Sequence, residues 1–199
     1  MINDFHGKYF FLSNFDESLL WYNGKLWPTV EHAFQAAKVD AETAEKIHKA
    51  DTPGVAKRLG RQGKMRPDWD DIRFKVMEEC LMRKFLCNPE LMQKLLDTGD
   101  EELIEGNTWH DNIWGDCSCS KCKDRPGRNM LGKTLMNIRQ WCRDGRYTYV
   151  VKLDAANGEG SIQECFKEYA DAVNYLADRK DGNGEPCNPD DRHLLIILK

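Results

Sequence analysis

The sequence lacks several features that would each point to a definite class of protein. Its opening, MINDFHGKYFF, has no basic-then-apolar leader pattern. No apolar run approaches the ~20 residues that a bilayer-spanning helix needs. Both absences lead to the expectation of a cytoplasmic protein without membrane contact. Positive charge is not in excess either: 29 Lys and Arg face 33 Asp and Glu, for a net charge of −4. No global basic field therefore draws the chain to nucleic acid or anionic lipid, although local basic clusters remain open to it. There is no internal repeat and no low-complexity tract.

What is present suits a folded enzyme-sized domain. The chain has 199 residues, 41 % apolar and 31 % charged. That length fits one domain, or one domain with a small extension, and it can bury a core without a covalent staple. Eight cysteines occur without a secretory context, so reduced thiols are expected rather than disulfides. Cys80, Cys87, Cys142 and Cys165 sit in helix-like patterns and read as small buried hydrophobes, and Cys187 falls in a loop-like stretch.

Periodicity and punctuation predict the elements. KYFFL (8–12) is aromatic-rich and reads as a short strand. LLWYNGKLW (19–27) is a hairpin around Asn23-Gly24. Thr29 then caps a helix whose buried stripe is Val30, Ala33, Phe34 and Ala37. Residues 41–50 form a helix, and Pro53 opens another with Thr52 as its cap. Asp68 caps a long helix over 69–87 with Trp69, Ile72, Val76, Cys80 and Phe85 on its stripe. Pro89 starts a helix that Gly99 ends. ELIEGNTWH is a short strand running into the long loop DNIWGDCSCSKCKDRPGR, and Asn129 caps a helix. YTYVVKLD is a strand, SIQECFKEYADAVNYLADR a helix, and HLLIILK a final strand after the loop DGNGEPCNPDD. The fold class expected is α+β: a compact, mostly helical domain over 1–145 with a few short strands, and a strand–helix–strand extension over 146–199 packed on it.

Three stretches carry candidate chemistry. GRNMLGKT (127–134) matches the phosphate-loop pattern, but SKCKDRP before it cannot be the buried strand that motif requires. What remains is a helix start near Arg125, Arg128 and Lys133, a local anion site at most. Cys117, Cys119 and Cys122, with His110 upstream, supply three thiolates and an imidazole, which suffices for a structural zinc. No second CxxC pair supports it, and a loop of reduced thiols is the alternative. In WPTVEHAFQAAK (27–38), Glu31, Gln35 and Lys38 fall beside the apolar stripe, where a cleft wall would be. Glu31 is the second helical residue, where the helix dipole favours a carboxylate. Asp116 follows Trp114-Gly115 in the long loop, the glycine allowing a sharp bend. With Trp27, Trp69, Trp109 and Trp114 for stacking on planar rings, the two acids make a kit for binding and stabilising developing positive charge. The plainer reading is that the tryptophans are core and the acids are surface caps.

In one order along residues 7–142 stand FLSNF (11–15), GKLWPTVEHAFQAAK (24–38), AKRLGR (56–61), DW (68–69), KF (84–85), LIE (103–105), WGD (114–116) and NMLGKTLMNIR (129–139). This set resembles the NADAR family, named for its association with NAD and ADP-ribose. The resemblance implies hydrolysis of a bond between ribose C1′ and a nitrogen, with no cofactor or metal required. It implies as substrates ribosylamino-pyrimidine phosphates of the riboflavin pathway, or ADP-ribose attached to guanine in nucleic acid. The family's catalytic glutamate falls on Glu31, a tryptophan on Trp69, and the WGD motif on Trp114, Gly115 and Asp116.

Such chemistry builds oxocarbenium character on the sugar, which a carboxylate beneath C1′ stabilises. Glu31 takes that role and Asp116 is the second carboxylate. Trp69 and Trp114 stack the base or wall the pocket. Lys38, Lys57, Arg61 and Arg128 hold phosphate. Asn14 and Gln35 bond to sugar or base, and Trp27, Gly115 and Asn129 complete the candidate set. Many relatives carry a glycine-rich run after WGD, where this chain has CSCSKCKDRPG, so the pocket rim differs. A non-catalytic sensor of NAD-derived ligands is the competing class.

Overall fold

The computed structural model describes residues 1–122, 124–154, 161–167, 169–178 and 192–198. By its contacts the chain divides into two units, Met1–Gln140 and Trp141–Lys199. The division falls inside a helix, a few residues before the boundary expected at 145.

The first unit is built mainly of helices. Gly7–Leu12 is a 3-10 helix, not the expected strand. Among the described residues no strand lies beside KYFFL to complete a ladder, and the backbone closes its own bonds, Tyr9 N–H to His6 O (3.0 Å) and Ser13 N–H to Phe10 O (2.9 Å). The hairpin follows as expected, β1 Leu20–Tyr22 and β2 Lys25–Trp27, with Asn23 (φ 50°) and Gly24 (φ 73°) both left-handed in the turn. Then come α1 Val30–Lys38, α2 Ala41–His48, α3 Pro53–Gln62, α4 Trp69–Leu86 and α5 Pro89–Leu96. Thr29, Asp40, Thr52 and Asn88 cap α1, α2, α3 and α5 with side-chain oxygens. Asp68 precedes α4 but does not cap it, because both its oxygens take up the Arg66 guanidinium (2.6 and 2.9 Å).

Helix α1 sits at the centre, packed against α2, α3, α4 and β2. Its burial is broader than the expected stripe. Glu31, His32 and Gln35 are buried along with Val30, Ala33, Phe34 and Ala36, while Ala37 is only half-buried. A helix enclosed on several sides that still carries polar side chains must give each of them a partner or a ligand.

Two short strands, β3 Gly106–Asn107 and β4 Asp116–Cys117, pair in parallel. Helix α6, Met130–Asp144, follows the long loop. Within the second unit, β5 Tyr147–Asp154 lies between β6 Ser161–Phe166 and β7 Arg192–Leu198 in an antiparallel sheet of order β6-β5-β7, and α7 Tyr169–Asp178 packs on β5. The expected helix over 161–179 is therefore a strand followed by a helix. SIQECF pairs residue for residue with β5, from Tyr149↔Phe166 to Asp154↔Ser161. Cys165, expected to be buried in a helix, is exposed on that strand, whereas Cys80 is buried and Cys87 and Cys142 are half-buried. Cys187 and its loop lie outside the described residues. Among the described residues no helix is long and apolar enough to cross a membrane.

Candidate active site

The segment Leu103–Asn107 is held from several sides. Ile2 donates its N–H to Glu102 O and accepts from Ile104 N–H, both at 2.8 Å. Asp116 N–H reaches Glu105 O (2.9 Å) as β4 joins β3. From the start of α6, Asn129 accepts the Glu105 N–H on Oδ1 (3.1 Å) and donates Nδ2 to Leu103 O (2.8 Å). A side chain at Gly132 would collide with Leu103 O, so only glycine lets α6 approach this closely. The motif NMLG is thus a clamp on the segment that carries Glu105, just before β3. Asn129 spends its side chain there rather than on a helix cap or on a ligand.

Glu31 faces the same place from α1. It is 3 % exposed. Its N–H donates to Asn14 O (3.1 Å), and its Oε1 accepts from Gln35 Nε2 (2.9 Å). Asn14 is set in turn by Lys84, which is fully buried in α4 and reaches Ser13 O (2.9 Å) and Asp16 Oδ2 (3.1 Å). Lys57 of α3 lies with its Nζ 5.3 Å from the centre of the Phe15 ring. These groups line a cavity of about 100 Å³ with Phe34, Met77, Glu105, Asp111 and Trp114.

Three buried polar atoms on that lining, Asn14 Oδ1, Gln35 Oε1 and Glu105 Oε2, have no hydrogen-bond partner among the described residues. Each such orphan costs about 1–3 kcal/mol unless something else bonds to it. Three of them around one cavity mark a place shaped for a hydroxylated or amide-bearing guest.

The electrostatics single out the two glutamates. Burial raises the Glu31 carboxyl above its ordinary range, opposed by Lys57, by hydrogen bonds from Gln35 and Asn14, and by Arg61. Burial pushes Glu105 up to about 8, helped by the charges of Asp111 and Glu31 and opposed by Lys57. The Glu31 charge adds to the burial that keeps the proton on Glu105. The cations and donors gather on Glu31, whereas Glu105 has two carboxylates set against it. Glu31 is the better seat for the negative charge, and Glu105 for the proton. Glu105 was not singled out from sequence as a site residue. It stands in the LIE motif, but nothing local marks it as facing Glu31 across some seventy residues.

Asp116, expected beside Glu31, does not line this cavity. Its Oδ1 accepts the Gly127 N–H (2.6 Å), and it borders two other hollows, of about 500 and 300 Å³. Gly115 is needed for close approach rather than for a bend: a Cβ there would run into Glu105 O and lie 2.8 Å from Asn107 Nδ2. Trp114 does wall the cavity. Its backbone N–H (2.9 Å) and that of Ile113 (3.1 Å) are held by Asp111 Oδ1. Trp69 is one shell away, its ring edge-on to Phe34 at 4.8 Å, while Phe34 also meets Trp114 at 5.3 Å. Trp27 is core: its Nε1 donates to Tyr22 O (2.8 Å) and its ring packs on His48. Arg128 stacks over Phe74 at 5.1 Å instead of lining the cavity. Lys38 is half-buried, its ammonium disfavoured by burial and by Arg61 and supported by Glu31.

A larger hollow of about 490 Å³ adjoins the first through the shared residues Phe15, Lys57 and Glu105. It adds Arg61, His6 and Ser13, and its rim carries Phe10 and Trp109, which are 40 % and 54 % exposed. Cations beside exposed aromatic faces suit a phosphorylated compound with a flat ring. Trp109 stands among the tryptophans that the sequence offered for stacking, whereas Phe10 is a rim aromatic to which the sequence gave no binding role.

His110, Cys117, Cys119 and Cys122 also gather, with one ligand atom from each lying within 4.8 Å of the others.

The NADAR domain family model matches residues 2–143. An N-glycosidase of Nostoc punctiforme is 40 % identical over 66 % of this chain and 85 % of its own length. The N-glycosidase YbiA of Escherichia coli is 38 % identical over 64 % of this chain and 78 % of its own length. A riboflavin biosynthesis protein of Vibrio vulnificus is 39 % identical over 73 % of this chain, which spans only 39 % of that longer protein. The NMR structure of E. coli YbiA matches with a TM-score of 0.62 at 33 % identity, covering 72 % of this chain and 88 % of that one. The order of motifs, the α+β fold and the family match over residues 2–143 agree: the chain belongs to the NADAR domain family.

Proposed function

We propose that this chain hydrolyses the C1′–N bond of a phosphorylated ribosyl compound in the cavity between Glu31 and Glu105. The enzyme class follows from kinship: the chain is an N-glycosidase of the NADAR family. The observation that carries the site is the trio of unpartnered buried atoms, Asn14 Oδ1, Gln35 Oε1 and Glu105 Oε2, around the Glu31 carboxylate. Ribose hydroxyls supply the donors that Asn14 Oδ1 and Gln35 Oε1 lack, and the leaving nitrogen stands against the protonated Glu105 carboxyl.

In this reading C1′ sits against Glu31. As the C–N bond lengthens, positive charge grows on the sugar and the carboxylate stabilises it. Glu31 takes a proton from the attacking water, whose oxygen forms the new bond to C1′. Glu105 gives its proton to the departing nitrogen, which leaves as a neutral amine. The pair ends with its proton on Glu31 and its charge on Glu105, and exchange with solvent resets it. Asp116 has no step here; it holds the loop. Lys57 and Arg61 bind phosphate in the adjoining hollow, and Phe10, Phe15 or Trp109 takes the flat ring.

The substrate we favour is a ribosylamino-pyrimidine phosphate, in keeping with the riboflavin name of the Vibrio relative. ADP-ribose linked to guanine in nucleic acid is the second reading, supported by the exposed Trp109 and Phe10 on a rim with Arg61 and Lys57 below. The test offers the purified chain both compounds side by side. Release of free amino-pyrimidine and ribose phosphate supports the first. Release of ADP-ribose supports the second. A chain that binds either compound and cleaves neither is a ligand sensor, and the hydrolase reading falls.

A further inference from the structure

We propose that His110, Cys117, Cys119 and Cys122 bind a zinc ion that fastens the loop beside the active-site cavity. The four residues come from the loop before β4, from β4 itself and from the turn after it, yet their side chains converge. Cys119 Sγ lies 3.2 Å and Cys122 Sγ 3.4 Å from the same nitrogen, His110 Nδ1. The backbone N–H of His110 points at Cys117 Sγ (3.4 Å). All four ligand atoms fall within 4.8 Å of one another. A tetrahedral zinc with Zn–S of about 2.3 Å and Zn–N of about 2.0 Å sets its ligands roughly 3.5–3.8 Å apart, so the cluster closes on an ion with sub-ångström adjustments.

Other observations point the same way. The three cysteines are free thiols, not a disulfide and a spare. His110 has φ 70°, a left-handed backbone that a histidine adopts at a cost, and that conformation belongs to the residue whose imidazole meets the sulfurs. Cys122 N–H donates to Cys119 O (2.9 Å), which folds the C-x-x-C piece into a tight turn with both sulfurs on one side. Three thiolates brought together without a cation would repel one another. With zinc they form a neutral-to-anionic closed site with no open coordination position, which makes the ion structural.

Its effect is on geometry nearby. His110 lies between Trp109, on the rim of the large hollow, and Asp111, which lines the small cavity and holds Trp114 in its wall. Fixing His110 to Cys117, Cys119 and Cys122 therefore fixes both neighbours. The site stands independently of which bond the enzyme cleaves.

The test is to purify the full chain under reducing conditions without chelator, measure metal content, and exchange the metal for cobalt(II). The expected result is about one zinc per chain and a cobalt spectrum with intense visible bands and sulfur-to-metal charge transfer, as for a tetrahedral three-sulfur, one-nitrogen site. Changes outside a ligand shell already cost ~10–100-fold in affinity, so Cys119→Ser should weaken zinc binding at least as much. Glu31→Gln should hold zinc like the parent, which separates this claim from the reaction. A folded parent chain that takes up neither zinc nor cobalt overturns the proposal. So does a pale six-coordinate cobalt spectrum, or a native disulfide between any two of the three cysteines.

Discussion

Lys57 reaches both carboxylates, and its charge lowers the proton affinity of each against the burial that raises it. Glu105 remains protonated up to about pH 8. Below the ordinary carboxylate range it is protonated in the folded and unfolded chain alike, and it costs nothing. As pH rises toward about 8 the unfolded chain gives up that proton while the folded chain keeps it, so stability is lost across this window. Glu105→Gln removes the loss. Its melting temperature relative to the parent should therefore be unchanged near pH 4 and higher by several degrees at alkaline pH, each ~1 kcal/mol recovered being worth about 2–4 °C in a chain of this size. Thermal unfolding at both ends of the window checks it; equal differences at both would contradict the raised proton affinity. In kinetics the same variant should lose about 10²-fold in kcat/KM. It should also lack the fall in rate that the parent shows as pH rises past about 8. The place of Glu31 on a cavity wall was legible from sequence, through its helix position and the WPTVEH motif. Glu105 was not, because what makes it the second acid is the parallel pairing of Gly106 with Asp116 and the clamp from Asn129, both formed by residues far along the chain. Asp116 drew attention because it follows Trp-Gly, yet that glycine marks a close approach to Glu105.

Elements hold these residues through close backbone contacts. Gly60 lets α3 press onto α1 where a Cβ would lie 2.9 Å from Gln35 Cβ and Cδ and would collide with Gln35 Oε1. Gly60→Ala must push Gln35 aside and take its donor from Glu31. The expected outcome is a folded enzyme with kcat reduced about tenfold or more and substrate binding less affected, read from steady-state kinetics. Unchanged kcat would mean that Gln35 does not orient Glu31. The ion pair between buried Lys84 and Asp16 anchors the Asn14 loop, and Asp16→Asn should cost ~3–5 kcal/mol, seen as a lowered denaturation midpoint. Elements with local signatures were readable: the Asn-Gly hairpin, the Thr and Pro starts of the helices, and the long α4. The misreadings share one cause. KYFFL has strand composition but no neighbouring strand among the described residues, and SIQECF has a helix-compatible pattern but a ladder waiting on β5. Partners distant in sequence decided both.

At the scale of the molecule, the family match and the site occupy the same stretch. The match covers residues 2–143, and both cavities are lined from within Met1–Gln140. The basic residues that sequence reading assigned to phosphate are split by the fold: Lys57 and Arg61 reach the large hollow, while Arg128 is spent on Phe74. A chain of net charge −4 thus carries a local cationic pocket, the arrangement open to it when no global basic field exists. The whole account turns on Glu31 acting on the bound sugar. Its most direct test compares the parent with Glu31→Gln on one ribosylamino-pyrimidine phosphate, following amine release by single-turnover kinetics and binding by calorimetry. The predicted result is release slowed by about 10³-fold or more, with affinity changed by no more than a few-fold. Release at the parent's rate by the Glu31→Gln enzyme would contradict it.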